Sequence, residues 1–484
     1  MSVPERRVTR RAFLRGAAVG GAGVLGAAVL PRWALERDPE RPPSLYEFYV
    51  DSFWMESAGA WNEPVRPPLR GRQRADVAIV GGGFAGMATA FHLAPRLPGK
   101  RIVLLEGARC GYGASGRNGG FADPGQPGLG WVYAHAGPEA ARAYYDATVL
   151  GLDQIRAFAG EHGVDCELEL NGTVQLATDA RQLDGMAEHA RRYAELGLEA
   201  HVLGREEARR VVRSERFVGG LRLPGHAILN PAKLALGMRR AIEARGVEVS
   251  ERSRVLRVEP GSTVRLVTEF AEVEAPQVVL ALNGYAPQIG VLESRVLPLT
   301  NYVVATEPLS AAQWESIGWT GREGLADARV QFMYLRPTAD GRIVFGGESA
   351  PHFYGGAPSS GAYRPSIEKL QRSLLVTFPQ LEGVRFTHTW GGTMAFTRDF
   401  TPSVGRLDGA DNVFYAACCN GEGVVMTQLG GMILARLVAG ESDALTRLAI
   451  VDRPLPWLGV EPVRSVAVRA AEWALEAAGA SPLR

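Results

Sequence analysis

A glycine-rich turn at residues 77–93, VAIVGGGFAGMATAFHL, limits the choice of fold more than any other feature of this sequence. Val77 to Val80 are apolar and mostly β-branched, which predicts a strand buried on both faces, and Met87 to Leu93 predict a helix. Glycines between a strand and a helix let an anion approach the free N–H groups at the helix N-terminus. The residues expected at this phosphate-binding turn are Gly81, Gly83, Phe84, Ala85 and Gly86.

A second apolar segment, RIVLLE, ends in Glu106, 20 positions after Gly86. This spacing after a GxGxxG turn is typical of a carboxylate that accepts hydrogen bonds from the ribose of a dinucleotide. Residues 107–121, GARCGYGASGRNGGF, then supply six glycines, which suits an extended backbone beneath a long cofactor and favours FAD over NAD. The residues predicted to contact the cofactor in this segment are Gly107, Ala114, Ser115, Arg117, Asn118 and Gly119.

The composition is that of a globular protein long enough for two or three domains, with 484 residues, 46% of them hydrophobic and 22% charged. Lys and Arg total 53 against 52 Asp and Glu, and residues 1–36 hold six Arg and two Glu. The remainder carries 47 basic and 50 acidic residues, so its charge argues against a nucleic-acid partner. The four cysteines, Cys110, Cys166, Cys418 and Cys419, lack the spacing of a metal site, and we expect no metal.

Residues 1–36 form a segment of a different kind. Paired Arg10 and Arg11 precede the weakly apolar stretch Gly16–Leu30, a pattern that resembles a twin-arginine export signal. This stretch is shorter than the roughly twenty residues that span a bilayer core, so no transmembrane span is expected. We predict an exported, periplasmic protein; retention of the segment as a signal-anchor at the membrane and a disordered basic tail are the alternatives.

Six further motifs follow one another along the chain. They are SFWMESA at 52–58, SRVLRVE at 253–259, VVLALNGYAP at 278–287, YLRPTADGRIVFGG at 334–347, WGGTMAFTRDFTPSVG at 390–405 and NGEGVVMTQLGGMILARLVAG at 420–440. Together with the glycine turn, they resemble the FAD-dependent oxidoreductases of the D-amino-acid oxidase type, especially the gamma-glutamylputrescine oxidoreductase-like branch. The resemblance extends over roughly residues 45–450.

The resemblance implies an α/β (α+β) fold, in which an FAD-binding Rossmann-like domain of the glutathione-reductase type is interleaved with a mixed-sheet substrate domain of the D-amino-acid oxidase type. It places Val255 near the adenine and Gly284 near the pyrophosphate, and it adds Asn283 to the residues that bind the cofactor. The expected FAD-binding segments are 75–132, 215–290 and 390–450, and the expected substrate segments are 133–214 and 291–389. The remaining parts are a leader at 1–36, an N-terminal extension at 37–74 and a C-terminal helix within 451–484.

The motif at 420–440 predicts a helix that begins between Gly421 and Val424 and runs to Leu437. A helix N-terminus carries the equivalent of about half a positive charge. It would stabilise the negative charge that collects on the N1 and C2 side of a reduced flavin. We therefore expect the backbone of Gly421, Gly423 and Val424 to contact the flavin.

The segment YLRPTADGR places Tyr334 and Arg336 on one face of a predicted strand. We expect both to position a substrate, and Asn118 and Trp390 to line the flavin pocket as further catalytic candidates. The predicted reaction oxidises the C–N bond of a primary or secondary amine, a gamma-glutamylputrescine-like polyamine derivative, by hydride transfer to flavin N5, and water then hydrolyses the imine. Two alternatives stay open. The first is an α-amino-acid oxidase or dehydrogenase of the glycine, sarcosine or D-amino-acid type, in which Arg336 binds the carboxylate. The second is a non-catalytic FAD-binding protein.

The sequence leaves the electron acceptor open between O2 and another carrier. Relatives similar to sarcosine oxidase have a Lys near the flavin, where this chain reads Arg342 to Phe345. Relatives with covalent flavin use a Cys near the segment TMAFT, and its absence predicts dissociable FAD, with Cys110 as the remaining candidate for covalent attachment.

Overall fold

The computed structural model describes residues 52–356, 363–417 and 419–477. The predicted leader, residues 1–36, and Cys418 lie outside the described residues. The helices within the described ranges are α1 Phe53–Ser57, α2 Phe84–Leu93, α3 Leu129–Glu161, α4 Ala180–Glu195, α5 Arg205–Val211, α6 Pro231–Ala244, α7 Ala311–Ile317, α8 Arg364–Thr377, α9 Gly423–Val438 and α10 Val463–Ala477.

The strands of the described residues form sheets of six, eight, four and two strands. They are β1 Gly71–Arg74, β2 Val77–Val80, β3 Ile102–Leu105, β4 Phe121–Ala122, β5 Thr173–Ala177, β6 His201–Leu203, β7 Gly219–Leu223, β8 Ala227–Ile228, β9 Glu248–Ser250, β10 Val255–Glu259, β11 Val264–Thr268, β12 Ala271–Ala275, β13 Gln277–Leu280, β14 Leu297–Thr306, β15 Gly324–Asp327, β16 Met333–Pro337, β17 Ile343–Gly347, β18 Phe386–Phe396, β19 Ser403–Leu407 and β20 Ala410–Ala417.

The six-stranded sheet carries the glycine turn. Its order is β19-β20-β13-β2-β3-β9, and all its neighbouring strands are parallel except β19 and β20. Every residue of β2 and β3 is buried, as predicted for strands covered on both faces. Helix α2 begins at Phe84, three residues before the predicted start, because Gly83 already serves as its N-cap.

Two different layers cover this sheet. On one face, Val77 and Ile79 share a core with helices α2, α3, α6 and α9. On the other face, Ala78 and Val80 pack against the four-stranded sheet of β1 and β10 to β12. Helix α9 approaches α2 so closely that a Cβ on Gly431 would overlap Ala88, and this crossing therefore requires a glycine.

The eight-stranded sheet is mixed, in the order β18-β14-β17-β16-β15-β5-β7-β6. Its residues alternate between two cores. Tyr302 and Val304 pack on the side of α8, whereas Val303, Val344 and Trp390 pack on the side of α1 and α6. The latter face turns toward the first motif of the family resemblance, SFWMESA.

The predicted fold class is confirmed, since a Rossmann-like parallel sheet is interleaved along the chain with a mixed sheet. The proposed domain limits stay a prediction. Among the described residues, no helix is long and apolar enough to cross a membrane. The same part of the chain brings no group of three His, Cys, Asp or Glu side chains together as a metal site.

Candidate active site and cofactor cleft

A long cleft opens at the carboxyl ends of β2, β3 and β13. The glycine turn forms one side, and Asn283, Tyr285 and Gln288 form part of the other. Its inner end reaches Met426 and Thr427 in α9. This edge of a parallel sheet is where dinucleotides bind in open α/β folds.

The turn leaves room for a ligand only because its residues lack side chains. Gly81 has φ 111°, in the range that favours glycine, and a Cβ there would overlap Ala281 O. A Cβ on Gly86 would overlap Gly81 O, so α2 can begin directly behind the turn only with glycine at this position. Gly83 caps α2 without a side-chain hydrogen bond, which leaves the start of the helix to face the cleft.

Glu106 is held in a fixed orientation at the cleft. Its Oε2 accepts from Gly82 N at 2.7 Å, and its Oε1 accepts from Ala108 N at 2.8 Å. The pKa of Glu106 is raised to about 7, chiefly by burial. The nearby Glu251 also raises this pKa, and the backbone donors partly oppose the rise. A carboxylate oxygen has more than one lone pair, so Glu106 can also accept from ribose hydroxyls.

Ser115 and Asn118 organise the loop that crosses the cleft. Ser115 Oγ accepts from Phe84 N at 2.9 Å, which joins the loop to the start of α2. Asn118 Nδ2 donates to Ala114 O at 3.0 Å, and its Oδ1 accepts from Gly120 N at 2.7 Å. Both side chains therefore shape the loop.

Arg117 connects the same loop to β18. Arg117 Nη1 donates to Gly391 O at 3.0 Å, and the Arg117 carbonyl accepts from Trp390 Nε1 at 2.8 Å. The guanidinium also lies 4.5 Å from the Tyr112 ring centroid. Arg117 is only 3% exposed, so it acts as a buried positive charge at the junction of the two sheets.

A second, larger cavity adjoins the cleft, and Ala114 lines both. The start of α9 opens into it, with Gly421 at φ 91° and no side chain capping Gly423. Asn420 fixes the turn before the helix, because its Oδ1 accepts from Thr397 N at 2.8 Å. The positive end of a 16-residue helix therefore faces this cavity.

Tyr334 lies on the opposite wall of the second cavity. Its hydroxyl donates to Asn301 Oδ1 at 2.8 Å, and burial raises the pKa of Tyr334, so the phenol stays protonated. A Cβ on Gly119 would lie 2.6 Å from the Tyr334 ring, which shows how closely the cofactor loop approaches this wall.

Arg336 and Trp390 lie behind the cavity wall. Arg336 is fully buried, donates to Leu229 O and Pro337 O, and lies with its guanidinium 5.0 Å from the Trp54 ring centroid. Trp390 is also fully buried. Trp390 Nε1 donates to Arg117 O of the cofactor loop, whereas the partners of Arg336 lie outside that loop, and neither residue lines the cleft or the second cavity.

The predicted residues separate into three groups. Those that line the cleft are Gly81, Gly83, Phe84, Ala85, Glu106, Gly107, Ala114, Ser115, Val255 and Asn283. Those that line the second cavity are Arg117, Asn118, Gly119, Tyr334, Gly421, Gly423 and Val424. Those outside both linings are Gly86, Gly284, Arg336 and Trp390, together with Cys110, whose thiol pKa is raised by burial.

The N-terminal segment supplies contacts that the sequence did not predict. Ser52 Oγ donates to Gly116 O at 2.9 Å, and Trp54 Nε1 donates to Asn118 O at 2.8 Å. Arg109 Nη1 donates in turn to Ala60 O at 2.8 Å. The SFWMESA motif marked this segment, but no pattern in the sequence reveals which loop it would hold.

An adenine dinucleotide with a flavin fits these two spaces. The glycine turn and the start of α2 beside it suit phosphates, Glu106 suits a ribose, and α9 directs its N-terminus at the adjoining cavity. The second cavity is large enough to hold a substrate beside the flavin, since its lining extends to α3, α4, α8 and α10.

Comparisons with known proteins agree with this site. The model of the DAO family, FAD dependent oxidoreductase, matches residues 76–437. The chain is 31% identical to gamma-glutamylputrescine oxidoreductase of Escherichia coli K12, over 77% of this chain and 86% of that protein. It is 29% identical to the probable oxidoreductase OrdL of Haemophilus influenzae, over 83% of this chain and 91% of that protein.

The fold has a solved counterpart. Glycine oxidase from Geobacillus kaustophilus superposes with a TM-score of 0.67 at 21% identity, covering 79% of this chain and 100% of that one. The match to the family model spans both the glycine turn and α9. The chain therefore belongs to the DAO family and is an FAD-dependent oxidoreductase that acts on the C–N bond of an amine or amino acid.

Proposed function

We propose that this enzyme oxidises a primary or secondary amine whose other charged groups lie far from the reacting carbon, as in a gamma-glutamylputrescine-like polyamine derivative. The carbon loses a hydride, the nitrogen loses a proton, and water hydrolyses the resulting imine. FAD, when bound, supplies the two-electron acceptor. The relative at 31% identity whose name specifies gamma-glutamylputrescine supports this substrate class.

The distribution of charge in the second cavity is the observation that carries the proposal. Leu299, Asn301, Val303 and Tyr334 make its buried wall neutral. The buried charges in the lining are already engaged: Arg117 binds Gly391 O, and Glu348 binds Arg329 and Ser373. More exposed charged side chains of both signs line the rest of the cavity, and these are Asp123, Glu188, Arg192, Glu195, Lys369, Arg398, Asp399, Glu422, Arg469 and Glu472.

The chain's own groups have distinct tasks in this reaction. Tyr334 and Asn301 form a hydrogen-bonded pair that positions the substrate on the neutral wall. The N-terminus of α9, at Gly423, stabilises negative charge that develops in the cavity. The surrounding apolar side chains exclude water from the reacting carbon.

The α-amino-acid alternative depended on Arg336 as the carboxylate ligand. Arg336 is fully buried, donates to backbone carbonyls and lies outside the cavity lining. This placement favours the amine proposal, because an α-carboxylate would sit on a wall where Tyr334 and Asn301 are neutral.

Anaerobic reduction of the flavin distinguishes the candidate functions. The flavin-loaded protein is mixed with gamma-glutamylputrescine, putrescine, glycine, L-proline and D-alanine, and the visible flavin absorbance is followed. Rapid bleaching by the conjugated amine, with little or none by the α-amino acids, supports the proposal. Bleaching by α-amino acids alone supports the first alternative, and bleaching by no compound supports a non-catalytic FAD-binding protein. Admitting O2 afterwards tests whether it serves as the electron acceptor.

We also propose that the enzyme is exported. The paired Arg10 and Arg11 ahead of a short apolar stretch support this placement. Replacing both by Lys should keep the enzyme in the cytoplasmic fraction, as measured by fractionation and flavin-linked activity. An unchanged distribution of the double variant would contradict twin-arginine export.

A further inference from the structure

The C-terminal helix α10 lies beyond the residues matched by the family model, 76–437, and still contributes Val468, Arg469 and Glu472 to the second cavity. We propose that this helix binds a zwitterionic α-amino-acid group at the far end of the amine substrate. Arg469 binds the carboxylate and Glu472 binds the ammonium. This inference rests on the proposed function and specifies the substrate class further.

The base of α10 is fixed to the start of β14. Glu461 Oε1 lies 3.0 Å from His352 Nε2, and His352 Nδ1 lies 2.8 Å from Pro298 O. Arg464 forms an ion pair with Glu461 at 2.9 Å and donates to Glu293 O. The orientation of α10 relative to the cavity is therefore set by buried polar contacts at its first turn.

The strands β14 and β18 form a continuous wall from Tyr334 to this anchor. Alternate residues of β14 line the cavity, and their partners on β18 are also in the lining: Leu297 pairs with Phe396, Leu299 with Met394 and Asn301 with Gly392. Asn301 binds Tyr334, whereas Leu297 adjoins Pro298, which contacts the α10 anchor. The four residue steps from Leu297 to Asn301 span roughly 13 Å.

That distance suits a conjugated amine. Nine bonds separate the oxidised carbon of gamma-glutamylputrescine from its carboxylate carbon, and an extended chain of that length spans about 10 Å. A free diamine or a small α-amino acid is shorter than the stretch of wall from Asn301 to Leu297. The apolar side chains of Leu299 and Met394 would then lie along the alkyl part of the substrate.

Arg469 and Glu472 differ from ordinary surface pairs on helices. Arg469 Nη1 lies 3.3 Å from Glu472 Oε2, and the side chains are only 17% and 22% exposed. The pair of Arg364 and Glu368 on α8 is 81% and 49% exposed. A guanidinium fork beside a carboxylate, both facing a cavity, complements the two opposite charges of an α-amino acid.

Two substrates that differ only at the far end test this site. With gamma-glutamylputrescine, Arg469→Gln should raise KM about tenfold or more and leave kcat nearly unchanged, because a charge-assisted contact remote from the reacting carbon is lost. With N-acetylputrescine, which lacks the zwitterion, the same variant should change KM less than twofold. Glu472→Gln should also raise KM for gamma-glutamylputrescine more than KM for N-acetylputrescine, but by a smaller factor than Arg469→Gln does.

Arg385→Gln is the matched control, since Arg385 is an exposed partner of Glu307 outside the cavity lining. It should leave KM for both substrates unchanged, and all variants should retain bound flavin. Equal effects of Arg469→Gln on both substrates, or none on either, would overturn the inference while leaving amine oxidation intact. Failure of both amines to reduce the wild-type flavin would instead overturn the proposed function, and this inference with it.

Discussion

Glu106 shows how one residue links the sequence pattern to cofactor binding. Its position after the glycine turn predicted a ribose ligand, and the structure shows a carboxylate held by Gly82 N and Ala108 N. Burial, together with the nearby charge of Glu251, keeps its pKa near 7, above the ordinary value of 4.5. The folded protein therefore binds this proton more tightly than the unfolded chain does. The resulting contribution to the free energy of unfolding is fully present below about pH 4.5 and is lost as the pH rises through about 7.

Glu106→Gln should weaken FAD binding. A hydrogen bond to a charged acceptor contributes about 1.5–3 kcal/mol, so Kd should rise roughly tenfold or more at pH 8. The wild type should bind FAD less tightly as the pH falls below about 7, because the carboxylate is the better acceptor, whereas the variant should lose this pH dependence. Fluorescence titration of the apoprotein with FAD at several pH values measures the Kd at pH 8 and its pH dependence. Equal Kd values at pH 8 would contradict the ribose contact.

The sequence could not predict residue roles that depend on contacts between distant segments of the chain. Strand alternation correctly grouped Tyr334 with Arg336 on one face. It could not show that Leu229 O and the Trp54 ring would hold the guanidinium, because both come from distant segments. The glycine positions were predictable, since local backbone geometry alone excludes a side chain at Gly81.

The N-terminal segment is an element whose role emerged only from the structure. Trp54 is fully buried and donates Nε1 to Asn118 O, so α1 holds the cofactor loop in place. Trp61 is a matched residue in the same segment, because its Nε1 has no hydrogen-bond partner in the described part of the chain. Both side chains can be replaced by Phe with an aromatic ring retained.

Trp54→Phe should raise the Kd for FAD about fivefold, since the loss of one buried hydrogen bond costs about 1 kcal/mol. Trp61→Phe should leave it within twofold. Titration of the two apoproteins with FAD under identical conditions provides the comparison. Equal effects would mean that the segment acts only through general packing.

The crossing of α2 and α9 sets the distance between the two helix N-termini that serve the cofactor. Gly431→Ala should lower the free energy of unfolding by about 1–3 kcal/mol, because the added Cβ overlaps Ala88. Gly430→Ala is the control, since its Cβ would lie 3.6 Å from Val404 Cγ2, an ordinary contact, and alanine favours a helix. Thermal unfolding should separate the two variants; identical Tm values would contradict this account of the crossing.

Across the whole molecule, segments from both ends of the described chain close around one site. The core matched by the family model, residues 76–437, provides the two sheets, and its fold class was predictable because the strands and glycine turn are local patterns. The contacts of α1 with the cofactor loop and of α10 with the cavity were not, since they join residues far apart in sequence. The sequence predicted a helix at the C-terminus, but not that it would line the substrate cavity.

The attachment of α10 should depend on pH. Burial raises the pKa of Glu461, but hydrogen bonds from His352 and Ser465 and the charge of Arg464 outweigh it and hold the pKa at about 2. The resulting stabilisation is present above about pH 4.5, the unfolded value, and is lost as the pH falls toward 2. Hydrogen exchange of α10 relative to α9 should therefore increase below pH 4.5, and Glu461→Gln should show faster exchange already at pH 7. Equal protection of α10 in the variant and the wild type at pH 7 would contradict this anchor.

A single anaerobic spectrum tests whether this flavoenzyme oxidises a conjugated amine. We expect that the purified protein carries FAD, and that gamma-glutamylputrescine removes the visible absorbance of this flavin within the time of a catalytic turnover. A flavin that stays oxidised with this amine, yet is bleached by an α-amino acid, would contradict the proposed function.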